Sequence, residues 1–494
     1  MFTSIETRQF CNRRFVSPSI DKKKKDVKKT GLGYSYFIAF SASLFMLLPG
    51  LSFSWPSVCI QKLYEKDPSL NPLGRQATIQ EIAWITSLHN LGAIIAPLFC
   101  GMISYQLGKK NTILLFAVPH FLSNIILIFA NHVWHFYVAR FLMGVTTGCA
   151  YTIVQIYVVE VVPTNHRGRA CSISNFLVSL AQDFLFLIGP YVTITILSAM
   201  SLVPTVLLFV LFGKFSPESP YHFVAKGDLG AAEEILIKTR DARDVSNELN
   251  SIIKDIGEHK GFSWKEFIMS KGARKSFILM ACLVFFQQFS GINCVFAYQQ
   301  SILAETKSTL SANKSLVIIA TVQMISIFIT SKLVDMWGRK KLLIFSYAGE
   351  CLSIFCLGTY FYLLNNNIDV SSLNLLPLFT IITYLFSFKL GSGPLTSVLS
   401  VELCPPKYMP ILYSLAAFIL NLLSYVITLS FPMFWITFGL EVALWGFAIT
   451  AFMAILFTYF LIPETMGKTF AQIQILLNNN NEVQEKKSLE LISV

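Results

Sequence analysis

Long apolar runs broken by short polar clusters dominate this chain. Twelve of them are candidates to cross the bilayer, which takes about 20 apolar residues for ~30 Å of hydrocarbon. They lie near residues 34–54, 80–105, 111–131, 136–161, 171–192, 194–213, 275–300, 315–337, 341–363, 375–400, 411–435 and 440–462. Hydrocarbon offers backbone groups no partner, so each run predicts a helix that satisfies its own N–H and C=O groups. The predicted fold class is an all-α polytopic membrane protein of two six-helix halves, residues 34–214 and 275–462. Between them, residues 215–274 are polar and contain AAEEILIKTRDARDVSNELNSIIKDI, with apolar residues at helical spacing between charges. That pattern predicts short amphipathic helices under a cytoplasmic face. Residues 1–33 and 463–494 read as polar tails.

Composition agrees: 54% of the 494 residues are hydrophobic and 14% charged, against about a quarter charged in soluble chains. The net charge of +11 would on a soluble protein point to nucleic acid. Its placement excludes that reading. Nine Lys/Arg fall in the N-terminal tail, including KKKKDVKK at Lys22–Lys29, and eleven between Lys214 and Lys275. The opposite loops hold only Lys62, Lys66, Arg75, Lys307 and Lys314. This asymmetry predicts both termini in the cytoplasm, with attraction to anionic lipid as a secondary role of the lysine run. The polar N-terminus is not a signal peptide. Ten dispersed cysteines read as small apolar residues, and neither they nor the seven histidines have metal-ligand spacing. No cofactor is expected. The sequon Asn313-Lys314-Ser315 falls in a predicted outer loop, open to glycosylation.

The halves echo one another. GMISYQLGKKN (Gly101–Asn111) follows the second run and SKLVDMWGRKK (Ser331–Lys341) the eighth. Each joins two helices through a glycine, Gly108 or Gly338, and the cations after it are expected to bond the last carbonyls of the helix before. Two such repeats around a central site are a transporter pattern. Together with ARFLMG (Ala139–Gly144), VVEVVPTNHRGR (Val158–Arg169), PESP (Pro217–Pro220), QQFSGIN (Gln287–Asn293), VDMWGRK (Val334–Lys340), GSGP (Gly391–Pro394) and PETMGKT (Pro463–Thr469), the chain resembles the sugar-porter branch of the major facilitator superfamily. Within it, insect facilitated trehalose or hexose transporters are most alike. The resemblance covers residues 34–472 and implies alternating-access transport of a sugar, in the plasma membrane, by a chain whose default state is a monomer.

The stretch FFQQFSGINCVFAY (Phe285–Tyr298) sets glutamines, a serine, a glycine and an asparagine in a membrane-grade segment. Each unmet polar group costs about 1–3 kcal/mol, so these side chains are expected to face the protein interior or an aqueous cavity. Ser290-Gly291 is expected to open the helix locally. Amides both donate and accept, which suits the hydroxyls of a sugar ring; bonding to neighbouring helices is the alternative. The resemblance assigns sugar contact to Gln287, Gln288 and Asn293. By alignment to family motifs, Asn421, Gln323 and Asn175 also match cavity-lining positions, and Gly391, Gly393 and Pro394 form a gate hinge in the tenth run.

Departures from the family pattern bear on the substrate. Ser397 and Leu422 stand where tryptophans are usual. Two charges, Asp183 and Lys389, sit at mid-span depth, where they either snorkel or face a cavity or each other; Lys389 is expected in the cavity. The expected gating charges are Lys109, Glu160 and Arg167 in the first half and Asp335, Arg339 and Glu402 in the second. Tyr105 replaces an acid, Lys109 an arginine, and Met409-Pro410 an Arg-Gly. These losses predict a larger inward-facing population than in typical relatives. No acid lies between Lys29 and Glu65, so Arg140 lacks the first-span aspartate of proton-coupled relatives, and facilitated diffusion is the simplest mechanism. Proton coupling through Asp183, a sugar sensor, or a carrier of another polyol or anionic solute remain the alternatives. An enzyme is excluded: MGKT lacks the upstream glycine of a phosphate loop, GSGP has no nucleophile elbow, and His89 reads as a helix-contact residue.

Overall fold

A computed structural model describes residues 31–465, apart from 68–69, 164–165, 241–244, 258–266, 268–270, 307, 309 and 405–408. Both tails expected from the sequence lie almost wholly outside the described residues. The first half comprises α1 (Gly31–Leu63, with one tighter turn at Leu44–Met46), α2 (Ile79–Leu107), α3 (Lys109–Ile128), α4 (Val133–Val161), α5 (Arg167–Ile188) and α6 (Ile194–Phe215). Three short helices follow: α7 (Pro220–Lys226), α8 (Leu229–Arg240) and α9 (Ser246–Gly257). The second half comprises α10 (Lys271–Phe289), α11 (Ile292–Ala304), α12 (Ala312–Trp337), α13 (Arg339–Asn365), α14 (Leu376–Leu390), α15 (Ser392–Glu402), α16 (Met409–Phe438) and α17 (Leu440–Leu461). The pairs α10–α11 and α14–α15 are each one span broken in the middle. Eleven spans are long and apolar enough to cross a bilayer; in α12 the described apolar part, Ala312–Ser326, is shorter. The first span begins and ends well outside the apolar run 34–54, because Gly31 to Leu63 continues as helix.

The loops sort the helix ends onto two sides. Gly108 and Gly338 turn the chain at what is called here the turn end, and Gly439 turns it at the opposite, far end, all with φ between 81° and 93°. The expectation for the cations after Gly108 and Gly338 needs correction. They start the next helix, and a carboxylate neutralises that start: Glu218 accepts from the backbone N–H of Lys109 (2.8 Å) and Lys110 (3.1 Å). Glu464 does the same for Arg339 (3.0 Å) and Lys340 (3.1 Å). A negative group at a helix N-terminus meets its orphan donors and its dipole together. Only Lys340 also reaches a terminal carbonyl, that of Tyr459 on α17 at 2.7 Å.

Inside each half, helices pack as expected for a bundle, α4 against α2 and α3, and α13 against α14 and α17. Between halves, α2 packs on α16, α1 on α11 and α5 on α12. The α8 helix is held under the first half, where the Ser35 hydroxyl bonds the Thr239 carbonyl at 2.6 Å.

Gly291 is the most constrained glycine of the second half. Its φ is +89°, and a Cβ there would stand 2.3 Å from the Phe447 ring. Gly446, by contrast, has open space for a methyl group. Gly291→Ala is expected to cost about 1–3 kcal/mol, seen as a lower Tm of the detergent-purified protein, while Gly446→Ala leaves Tm level or slightly raised.

Candidate functional site

The two broken spans meet. The bend at Ser290–Gly291 ends α10, and Ser290 turns its hydroxyl back to the Gln287 carbonyl at 2.9 Å. Its own carbonyl, freed by the break, accepts from the Tyr384 hydroxyl of α14 at 2.9 Å. Gln287 crosses to the second break and donates to the carbonyls of Ser392 (2.9 Å) and Gly393 (3.3 Å). One amide thus ties two interrupted helices, and its Oε1 has no partner. Asn293 donates to Gln288 Oε1 at 2.5 Å and to Ser424 Oγ of α16 at 2.6 Å. With Phe53, Thr86, His89, Asn90 and Arg140, Asn293 also lines a cavity of about 20 Å³ between the halves, room for about one water.

The remaining expected contacts divide. Gln323 is 2% exposed and neither amide atom has a partner among the described residues. Asn421 is half-buried one turn before Ser424 and donates to the Ala417 carbonyl at 2.8 Å. Asn175 is exposed on α5 and is not joined to the amide group among the described residues. The tenth span does break at Gly391, whose Cβ position is crowded by Ser346 and the Leu342 carbonyl, and Pro394 starts the helix beyond it.

Asp183 is 1% exposed and the Lys389 ammonium is buried, which removes snorkelling for both. They stand on opposite halves, and each feels the other's charge. No ion pair forms at hydrogen-bond range, and neither the Asp183 oxygens nor Lys389 Nζ has a hydrogen-bond partner. Arg140 is satisfied without an acid: it donates to the carbonyls of Ser52 (2.8 Å) and Ile85 (3.0 Å) and lies 5.3 Å from the Trp55 ring centre. His89 bonds Thr147 at 3.1 Å across to α4, a helix contact. Another ionisable group inside a span has a sequence signal, a lone carboxylate in the run 341–363: Glu350 of α13 is fully buried.

The charge clusters at the turn end repeat in both halves. Lys109 Nζ pairs with Glu160 at 2.8 Å, and Ser219 donates to the same carboxylate at 2.5 Å. Arg339 stands 3.7 Å from Glu402, which accepts from Thr465 at 2.6 Å. The glutamates of PESP and PETMGKT, Glu218 and Glu464, complete each cluster, a role the sequence reading left unassigned. Arg167 departs from expectation; it donates to the Val162 carbonyl at 3.4 Å and pairs with no acid among the described residues. The side chains of Asp335, Met409 and Pro410 lie outside the described set.

Side-chain bonds joining the halves among the described residues cluster at the far end. Tyr298 bonds Thr86 (3.0 Å), the Gln300 N–H bonds Ser57 (3.3 Å) and Asn90 bonds Thr428 (3.4 Å). The halves are therefore in contact on the far-end side of the spans.

Residues 30–477 match the family model described as "Sugar (and other) transporter". The chain belongs to this transporter family. It is 29% identical over 443 residues to the facilitated trehalose transporter Tret1 of Culex quinquefasciatus, covering 88% of this chain and 84% of that one. The Tret1 of Apis mellifera ligustica is 27% identical over 481 residues, with 95% and 94% covered. Against the Tret1 of Aedes aegypti, 29% identical, the match covers 88% of this chain but 54% of the longer relative. Among solved structures, the inward open xylose transporter XylE from E. coli superposes with a TM-score of 0.75 at 21% identity, covering 90% and 99% of the two chains. Its partially occluded inward open form gives 0.72 at 22% identity, covering 88% and 100%. The twelve-helix major facilitator fold follows, and this member of the transporter family is no enzyme.

The sequon of this transporter is not in a loop. Asn313 lies in the first turn of α12, half-buried, and its Oδ1 accepts from Gln300 at 2.7 Å. Enzymatic deglycosylation of the protein from eukaryotic cells is expected to leave its gel mobility unchanged; a shift abolished in Asn313→Gln would refute this. Glu218→Ala is expected to destabilise by about 1–2 kcal/mol, the scale of a lost helix cap, read as a lower Tm in detergent.

Proposed function

We propose that the protein is a facilitative carrier of a sugar, trehalose or a hexose, working by alternating access of its two halves across the plasma membrane. The observation that carries the reading is the junction of two broken helices, where Gln287, Gln288 and Asn293 concentrate neutral donors and acceptors in a helical membrane bundle. Neutral amides match sugar hydroxyls without the long residence a charge would impose. Gln323 adds an amide with no internal partner among the described residues, the state of a group kept for a ligand. The names of the Tret1 relatives support the sugar class. Arg140, whose donors go to backbone carbonyls, supports uniport over coupling at that position.

The charge bias places both termini in the cytoplasm, so the turn end is the inner end and contact between the halves on the far-end side fits an inward-facing arrangement. Breaking one half's clusters costs little, since exposed pairs contribute only ~0–1 kcal/mol, and states a few kcal/mol apart interchange readily. Lys389 and Asp183 mark this chain's own selectivity. Their polar atoms are buried on opposite halves and have no hydrogen-bond partner among the described residues.

Labelled trehalose and glucose uptake in a sugar-transport-deficient cell, with and without a pH gradient, tests the reading. Saturable uptake that needs no gradient and drops at least about tenfold in Gln288→Ala, the loss of one or two hydrogen bonds, is expected. Uptake of neither sugar, with the protein at the surface, would refute it. Lys389→Ser is expected to change the order of preference among sugars and polyols; identical kinetics across such a panel would remove Lys389 from the site.

A further inference from the structure

Glu350 sits where the three central spans of the second half converge, and the established family motifs give it no task. It is 0% exposed. Small residues bring its helix against the break in the tenth span: a Cβ on Gly349 would lie 2.2 Å from Ser387 Oγ, and one on Gly391 would lie 2.6 Å from the Ser346 Cβ. Glu350 Oε1 contacts Ser346 Oγ at 3.1 Å and the Ser392 hydroxyl more closely still. Oε2 has no partner.

Counting hydrogens at Ser346 decides the state of the carboxyl. Its oxygen lies 2.7 Å from the Ser387 carbonyl, which only accepts, and receives the Ser392 N–H at 2.8 Å. A hydroxyl has one hydrogen, and the shortest contact to a pure acceptor takes it. The remaining contact, to Glu350 Oε1, then sets two lone pairs against each other unless the carboxyl supplies a proton. The Ser392 hydroxyl, with no other acceptor among the described residues, donates to Oε1, and the network closes with one proton on Glu350.

Nothing around the site offers a charge instead. The ionisable groups that act on or feel Glu350 are Tyr347 and Cys351 on its own helix and Tyr384 on α14, none of them a cation. The nearby α10–α11 break presents Ser290 and Gln287, both neutral. Lys389, also on α14, acts on Asp183, and α17, packed along α13, carries as its only charge Glu441 at the far end. An ion this deep in a membrane protein needs a partner or water.

We propose that Glu350 is a proton-binding site, and that its proton holds α13 against the Gly391 break, so that loosening of this hinge is linked to proton release. Ionised Glu350 has the Ser392 hydroxyl on Oε1 and the Ser290 hydroxyl close to the carboxyl, too few donors for an ion, and Oε2 draws water or new donors into the α13–α15 contact, separating Ser392 from Ser346. Gln287, bonded to the Ser392 carbonyl, passes that movement to the break in the seventh span. This linkage deepens the carrier reading without depending on the sugar, because the proton is measurable on the purified protein.

The test is an infrared difference spectrum of the purified full-length protein, titrated from acid to alkaline pH, for wild type, Glu350→Gln and Glu350→Asp. The expected result is a protonated-carboxyl band at neutral pH, absent in Glu350→Gln and retained, shifted, in Glu350→Asp. In parallel, wild-type Tm is expected to fall below that of Glu350→Gln as pH rises, since the folded protein retains a proton that the unfolded chain releases. Sugar uptake is expected to decline at alkaline pH in wild type, by about tenfold per pH unit once Glu350 ionises, and to stay level in Glu350→Gln. Absence of the band overturns the proton site. A band accompanied by parallel Tm and uptake profiles in wild type and Glu350→Gln overturns the link to the hinge. A band and a pH-dependent Tm difference without uptake of any sugar support this site and refute only the sugar-carrier reading.

Discussion

The constraint that organises this protein is the want of hydrogen-bond partners in hydrocarbon. A helix satisfies its own backbone, so ten spans can be built from almost any apolar residues. The seventh and tenth are different. Each stops in mid-membrane and frees carbonyls and N–H groups that lipid cannot take, and the second half is arranged to meet them. Tyr384 reaches the Ser290 carbonyl, Gln287 the carbonyls of Ser392 and Gly393, and Ser346 the Ser387 carbonyl. Each donor comes from a different span than its acceptor. The breaks therefore support one another, and the polar stretch Gln287–Asn293 supports this junction while it keeps the Gln287 oxygen without a partner among the described residues.

The two readings open for FFQQFSGINCVFAY are compatible in this geometry. Gln287 gives its nitrogen to the neighbouring helix and keeps an oxygen free. Helix bonding thus leaves part of the same side chain free to meet a ligand. Asn293 does likewise, bonding Gln288 and Ser424 while it borders the cavity between the halves. Such side chains exchange partners at little net cost, because a lost internal hydrogen bond is replaced by one to ligand or water.

A second economy appears at the turn end. Glycine turns with φ near +85° cannot be held by helix geometry, and in both halves a glutamate from a distant segment takes up the first N–H groups beyond the turn. The same segments supply a hydroxyl, Ser219 or Thr465, to the carboxylate that pairs with the basic residue. The clusters are internal to each half, so a half can move as a body. The halves meet through helix packing, α2 on α16, α1 on α11 and α5 on α12, and the side-chain hydrogen bonds Tyr298–Thr86, Gln300–Ser57 and Asn90–Thr428 between them are neutral, each worth about 1 kcal/mol.

By itself the sequence determined the elements and their class. Apolar length dictates spans, glycine with proline or serine marks where they bend, and charge bias orders their ends, all through short-range chemistry that needs no neighbour. The amide stretch, the hinge at Gly391 and the cationic side of Lys109 and Arg339 were legible for that reason. Tertiary structure decided which partner each polar group meets. That Glu218 and Glu464 seat the glycine turns, and that Glu350 meets Ser392 and no cation among the described residues, are facts of segments 40 or more residues apart along the chain. Residue type sets what a side chain can bond; only the packed bundle sets what stands within 3 Å of it.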